Sequence, residues 1–326
     1  MIISRTPFRI SFFGGGTDFP DFYLRHGGAV LATSINQYCY LSLHRLAPYF
    51  PWRYRASYSR IESVQDPADF QHPLVRECFL HLAVDDSLEL VHVADLPGRS
   101  GLASSSAFTV GLLNALSAFR GETPSPEWLA ANAIAVERDR VRDAGGRQDQ
   151  YTVAYGGFNR IDFSATGAVS VRPVRASSAT LAALESSLLL FFLNADVSAQ
   201  AILQSQIART GDNTPDLLGM LRLVDQAEAL LSANDLPAFG ALLHETWIRK
   251  KRLAAGISNP VIDDAYAAAR SAGALGGKLL GAGGRGFLCL FVPPAARSAV
   301  VSRLSRFRCV PFRFENTGSR IIFSSP

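Results

Sequence analysis

LPGRSGLASSSA, residues 96–107, runs straight into the apolar stretch FTVGLLNALSAF, residues 108–119. Gly98 and Gly101 let the backbone turn tightly and approach an anion with no Cβ in the way. Ser100, Ser104, Ser105 and Ser106 add hydroxyls at the same place. The spacing of Phe108, Leu112, Leu113, Leu116 and Phe119 predicts a helix over 105–119 with a one-sided apolar stripe. Glycines, hydroxyls and a helix N-terminus together make a cradle of free N–H groups and positive dipole that suits a phosphate. A serine-capped helix after a Pro-Gly turn is the plainer reading of the same residues. No Lys-Ser or Lys-Thr follows the glycines, so this is not a Walker A loop.

Two further glycine-rich segments frame it. RTPFRISFFGGGTD, residues 5–18, is an apolar strand carrying Arg5 and Arg9 that ends in Gly14, Gly15, Gly16, Thr17 and Asp18. GGKLLGAGGRG, residues 276–286, precedes the strand-like FLCLFV. Three such loops, near both ends and in the middle, exceed what turn chemistry requires.

In order and spacing the three segments resemble the three motifs of the GHMP small-molecule kinases, the family of galactokinase, homoserine kinase and mevalonate kinase. The resemblance spans nearly the whole chain. RTPFRISFFGGGTDFP, HGGAVLATSINQY, GGRQDQYTVAYGGFNRIDF and HETWIRKKRLAAGISNP resemble, within that family, the branch that phosphorylates manno-heptose 7-phosphate. The resemblance implies an α+β protein of the GHMP kinase fold, with ATP and Mg²⁺ as cofactors. It implies two domains, the second ferredoxin-like, with the active site in the cleft between them. A composition shift near 175–180 places the boundary, giving domains 1–175 and 176–326.

Composition agrees with a two-domain enzyme. The chain has 326 residues, 48% hydrophobic and 18% charged, enough to bury a sizeable core. A net charge of +4 suits anionic substrates, and no basic run argues for nucleic acid. Cys39, Cys78, Cys289 and Cys309 lack CxxC spacing and read as reduced thiols of a cytoplasmic protein. The six histidines form no zinc motif. Arg5 and Arg9 interrupt any signal-like run, and apolar runs such as 188–193 are too short for a bilayer, so no membrane partner is expected. The expected partners are a sugar phosphate and ATP; the sequence sets no oligomeric state.

The first half alternates strands, expected at 2–13, 28–46, 53–59, 87–93, 158–163 and 169–173, with helices at 74–82, 105–119 and 126–142. The second half opens with a helix at 177–186 and a strand at 188–193. Helices follow at 197–209, 215–233, 236–253, 259–272 and 295–307, and two strands close the chain. The alternation alone says α+β or α/β.

Several residues carry candidate chemistry. Asp149 sits in GGRQDQY, expected as a glycine-rich loop with Gly146, where a carboxylate can take or orient a hydroxyl proton; an exposed loop Asp is the alternative. The resemblance makes it the catalytic base or the group that orients the substrate. Arg9 matches the basic residue of the first strand, there to lower the hydroxyl's pKa or keep Asp149 charged. Glu137 shares a helical face with Ala130, Ala133, Ile134 and Val141, a costly place for an acid unless it is paired or binds a metal. Arg138, Arg140 or Arg9 would serve as the pair; the resemblance implies a Mg²⁺ ligand with a loop serine, of which Ser105 is favoured.

Gly98, Arg99, Ser100, Gly101, Ala103, Ser104, Ser105 and Ser106 are expected to hold ATP phosphates. Gly14 to Asp18, with Gly146, Asp149, Gly283 and Gly284, are expected on the sugar. Asp18 resembles a sugar-hydroxyl ligand, while Gly15 and Gly16 stand where galactokinases carry Glu and His. The basic residues are almost all arginine; the lysines are Lys250, Lys251 and Lys278. Lys250 and Lys251 end a helix, where cations are favoured in any protein, or else grip the substrate's phosphate; Lys278 is a second candidate. Arg99, Ala103 and Arg285 replace residues that are small in the subfamily. The expected reaction is phosphorylation of the anomeric hydroxyl of the heptose 7-phosphate. A fucokinase- or galactokinase-like sugar-1-kinase and a non-catalytic sugar and ATP sensor are the alternatives, and retention of Arg9, Glu137 and Asp149 argues against the sensor.

Overall fold

A computed structural model describes residues 1–98, 100–193 and 199–325. Arg99 and the first residues of the helix expected over 197–209 lie outside them. The chain begins with β1 (Ile2–Phe13), α1 (Pro20–His26) and the long β2 (Gly28–Arg45). Then come β3 (Tyr54–Ser57), β4 (Ile61–Val64), α2 (Pro73–His81) and β5 (Leu88–Ala94). The helices α3 (Ser104–Phe119), α4 (Pro126–Ile134) and α5 (Gln148–Tyr155) precede the hairpin β6 (Phe158–Phe163) and β7 (Val169–Pro173). The second half runs α6 (Ser178–Ser186), β8 (Leu188–Leu193), α7 (Ala199–Ala208), α8 (Thr214–Ser232), α9 (Leu236–Arg252) and α10 (Pro260–Ser271). It closes with β9 (Gly276–Leu279), β10 (Gly286–Phe291), α11 (Arg297–Arg303), β11 (Arg308–Cys309), β12 (Phe314–Glu315) and β13 (Arg320–Ser324).

These strands form two sheets. In the first, β1 lies between β13 and β2, and β2 also pairs with β5, β6 and β12. The second has the order β11-β8-β10-β9 with every pairing antiparallel. Helices connect β8 to β9 and β10 to β11, so the path is the β-α-β-β-α-β of a ferredoxin-like domain. Among the described residues no helix is long and apolar enough to cross a membrane. All four cysteines are free thiols, Cys39, Cys78 and Cys289 buried and Cys309 half-buried.

The expected division after residue 175 falls between β7 and α6, but the span 176–326 is not all of one piece. β12 pairs with β2 and β13 with β1, so the tail crosses back and completes the first sheet. Strand pairing at this sequence separation leaves no local signature, which is why the tail read as part of the second domain.

α3 departs from the one-sided stripe. It is buried without a break from Ser106 to Ser117. Its second face is made of small residues, and at Gly111 a Cβ would come within 2.8 Å of Thr6 Oγ1 on β1. Ser4 Oγ donates to the Gly111 carbonyl at 2.8 Å. The close approach of α3 to β1 brings the loop before the helix to Arg9, whose backbone N–H donates to the Leu102 carbonyl at 3.1 Å. Phe12 and Phe13, at the end of β1, pack against Phe239 of α9 with ring centroids 5.8 and 5.1 Å away. That contact ties the strand carrying Arg9 to the helix carrying Lys250.

Candidate active site

A pocket opens where the two halves meet, lined by Arg9, Ser11, Gly15, Gly16, Asp18, Arg138, Gly146, Gln148 and Asp149 from the first and by Leu203, Gln206, Lys250, Leu253, Lys278, Gly281 and Ala282 from the second. Its centrepiece is an ion pair. Arg9 Nε donates to Asp149 Oδ1 at 2.9 Å and Nη2 to Oδ2 at 2.8 Å, the fork geometry that orients both partners. Arg9 Nη1 donates to the Gly101 carbonyl at 2.7 Å, so one guanidinium links the carboxylate to the phosphate loop.

Asp149 is not on a loop. It lies in the first turn of α5, a helix of eight residues. QDQYTVAY is too short and too polar to show a stripe, and the glycines on both sides read as loop. A helix start positions a carboxylate more firmly than a loop would, and its dipole favours the negative charge.

Asp18 is buried, with Oδ1 accepting from Gly16 N–H at 2.9 Å and Oδ2 from Gln148 N–H at 3.1 Å. Burial pushes its carboxyl above the usual range while the backbone donors oppose the rise. The residue therefore staples the first glycine loop to the start of α5. Gln148 Oε1 in turn accepts from Ser11 Oγ at 2.6 Å. Neither Ser11 nor Gln148 carried a sequence signal beyond lying in the two motifs.

Glu137 is enclosed. The helix expected over 126–142 ends at Ile134 and continues as a π-helical turn, Ala135–Arg140, in which Glu137 is buried. Its Oε2 accepts from Gln150 Nε2 at 2.7 Å and Ser106 Oγ at 3.1 Å, with Arg138 Nη2 at 3.6 Å. Burial pushes its carboxyl up, and Arg138 is the largest opposing influence. Oε1 is buried with no partner, as is Gln150 Oε1. An orphaned carboxylate oxygen beside a serine hydroxyl fits Mg²⁺, which takes few protein oxygens and completes its shell with water and phosphate. The serine bonded to Glu137 is Ser106; Ser105, the serine favoured from the sequence, is exposed in the first turn of α3, one residue of helix turning the side chain about 100°.

Several expected ligands make contacts within the framework. At Gly14 a Cβ would sit 1.9 Å from the Ala29 carbonyl, so this glycine is a packing requirement. Thr17 is fully buried and its hydroxyl bonds the Gly14 carbonyl and the Ala29 backbone. Gly283 and Gly284 pack on Ile257, and Gly284 N–H donates to its carbonyl at 2.9 Å; their neighbours Gly281 and Ala282 line the pocket. Lys251 turns away to Asp263 at 3.1 Å over the Trp247 ring. Lys250 points inward, donating to the carbonyls of Leu279 at 2.8 Å and Gly281 at 2.5 Å.

The phosphate loop packs on the third glycine loop. A Cβ on Gly101 would meet the Leu280 carbonyl at 2.6 Å, and one on Gly281 would meet Gly101 Cα at 2.5 Å. Ser100 Oγ is buried and has no partner. Gly98 faces open space, and Ser104 and Ser105 stand in the first turn of α3. Ala103 holds φ 65° and ψ 34°, the left-handed region that glycine enters freely.

The family model described as the N terminal domain of GHMP kinases matches residues 73–157, and that for the C terminal part matches residues 227–309. The chain is 29% identical over 318 residues to D-glycero-alpha-D-manno-heptose 7-phosphate kinase of Campylobacter jejuni, across 94% of this chain and 93% of that enzyme. It is 29% identical over 249 residues to mevalonate kinase of Methanothermobacter thermautotrophicus, across 71% of this chain and 76% of that one. Among solved structures, a D-glycero-D-manno-heptose 1-phosphate kinase from Bacteroides thetaiotaomicron matches with TM-score 0.80 at 23% identity, covering 100% of both chains. Lactococcus lactis galactokinase, solved with galactose, matches with TM-score 0.76 at 18% identity over 98% of this chain and 94% of that one.

Proposed function

The chain belongs to the GHMP kinases, which are ATP-dependent phosphotransferases, and from that membership we propose that it transfers the γ-phosphoryl of ATP to the anomeric hydroxyl of D-glycero-α-D-manno-heptose 7-phosphate, giving the 1,7-bisphosphate in the cytoplasm. The observation that carries the reading is the Arg9–Asp149 fork inside a pocket that both halves of the chain line. The relative matched over nearly its full length supplies the substrate class.

The chemistry is chiefly positioning and charge neutralisation. The acceptor oxygen forms the new bond to phosphorus, the bond from the γ-phosphorus to ADP breaks, and the hydroxyl proton goes to Asp149. Arg9 holds Asp149 correctly turned through the two-bond fork. The N–H groups after Gly98 and the start of α3 receive the phosphates, with the serine hydroxyls beside them. Glu137 and Ser106 are the residues that would hold Mg²⁺, which supplies charge neutralisation between the phosphates when bound. Asp18 fixes the loop that bounds the sugar.

The test is ADP release with ATP and a panel of acceptors: the heptose 7-phosphate, the free heptose, galactose and fucose. Turnover with the phosphorylated heptose exceeding the others is expected. Preference for an unphosphorylated sugar would move the protein to the fucokinase- or galactokinase-like reading, and no ADP release with any sugar would favour the sensor.

A further inference from the structure

We propose that Lys250 and Lys278 together form the receptor for a phosphate dianion carried by the acceptor sugar. The inference rests on the reading of the acceptor as a sugar phosphate and names the residues that would make it one.

Both side chains line the pocket that holds Arg9 and Asp149, and both are buried, 7% and 3% exposed. Neither makes an ion pair among the described residues. Their anchors are main-chain carbonyls: Lys250 Nζ donates to Leu279 and Gly281, and Lys278 Nζ donates to Phe12 at 3.1 Å. Carbonyl dipoles aim an ammonium but do not neutralise it, and a buried ammonium without a counter-charge is costly. An ammonium has three N–H bonds. Lys250 therefore keeps one for a ligand and Lys278 two, matching the oxygens of a phosphate.

The surrounding groups leave the charge unmet. Arg9 adds positive charge and is matched by Asp149. Asp18 opposes the Lys278 shift electrostatically but makes no ion pair with either lysine, and its oxygens accept from two backbone N–H groups. Cys289, beside Lys278 on β10, is pushed up to about 12 by burial and is a neutral thiol. Lys251 turns outward to Asp263, so α9 delivers a single ammonium to the pocket. Apart from these two and Lys251 the basic residues are all arginine; a compact point charge fits where a planar fork does not.

Titration gives the site a signature. Burial, with Arg9 nearby, pulls the Lys278 ammonium down to about 7. Burial, with Lys278 and Arg9, pulls Lys250 well below the ordinary amine value. A bound dianion reverses both shifts. Above pH 7, binding a phosphorylated sugar then takes up protons, and binding the free sugar does not.

The experiment is calorimetry at pH 8 in two buffers of different ionisation heat, with heptose 7-phosphate and free heptose as ligands. Wild type is expected to take up protons with the first sugar alone, an arm that needs no variant. Lys250→Met and Lys278→Met are each expected to weaken the phosphorylated sugar about 10–100-fold, the worth of a charge-assisted hydrogen bond, and to leave the free sugar and a non-hydrolysable ATP analogue unchanged. The inference is overturned if phosphate-dependent binding survives both substitutions, if wild type binds the two sugars equally, or if the variants weaken the nucleotide alone. Failure of the kinase reading is separate and shows as no ADP release from wild type with either sugar.

Discussion

Arg9 commits three nitrogens to the site, two on Asp149 and one on the phosphate-loop carbonyl of Gly101. Loss of the carboxylate charge therefore removes the partner that turns Arg9 and, in the proposed mechanism, the proton acceptor. Asp149→Asn is expected to lower kcat by roughly 10²–10⁴ with little change in ATP affinity; near-wild-type turnover would remove Asp149 from the mechanism. Glu137 is held by Ser106 and Gln150 on one oxygen and leaves the other bare. Glu137→Gln keeps the shape and removes the charge. It is expected to raise the Mg²⁺ concentration needed for half-maximal turnover and to weaken Mn²⁺ binding measured by electron paramagnetic resonance. Unchanged curves in both would make Glu137 a structural acid paired with Arg138.

At the scale of the element, the start of α3 carries a cost that the sequence only hinted at. Ala103 puts a methyl into left-handed backbone at φ 65°, a conformation that costs an L-residue roughly 1–2 kcal/mol. Ala103→Gly removes that strain, and the added freedom of the unfolded chain returns about 0.4–1 kcal/mol. The expected net is a stabilisation of about 0.5 kcal/mol by urea unfolding, with the KM for ATP unchanged or lower. A clear loss of stability would mean that the methyl packs well enough to outweigh the strain. The same logic separates α5 from its reading as a loop: eight residues between glycines have no periodicity to show, and only the contacts of the finished fold make them a helix.

For the whole molecule, contacts between its halves build the pocket, among them Phe12 and Phe13 against Phe239 and the second glycine loop against the third. Between those two loops, backbone meets backbone with no room for a side chain. Gly281→Ala would place a methyl 2.5 Å from Gly101 Cα at a φ of 73°. Left-handed strain and overpacking together predict a loss of about 2–4 kcal/mol. Because the same loop holds Lys250 through the Gly281 carbonyl, the KM values for ATP and sugar are expected to rise together. A change in stability alone, with both KM values intact, would show that the loops do not couple the two substrates.

The sequence by itself determined the family, the fold class and the three loops. The residue types there follow from short-range needs: glycines for tight turns and close approach, hydroxyls at a helix start. It also located Asp149, Arg9 and Glu137 without their geometry. Only the tertiary structure decided that Ser106, not Ser105, meets Glu137, and that Lys250 turns inward while Lys251 turns out. It likewise decided that Gly281 and Ala282 line the pocket and that the tail returns to the first sheet. Those outcomes hang on a rotation of about 100° per helical residue and on which strand edge is left open to pair. Neighbours along the chain encode neither; both are set when β1, α3, α5 and α9 pack together.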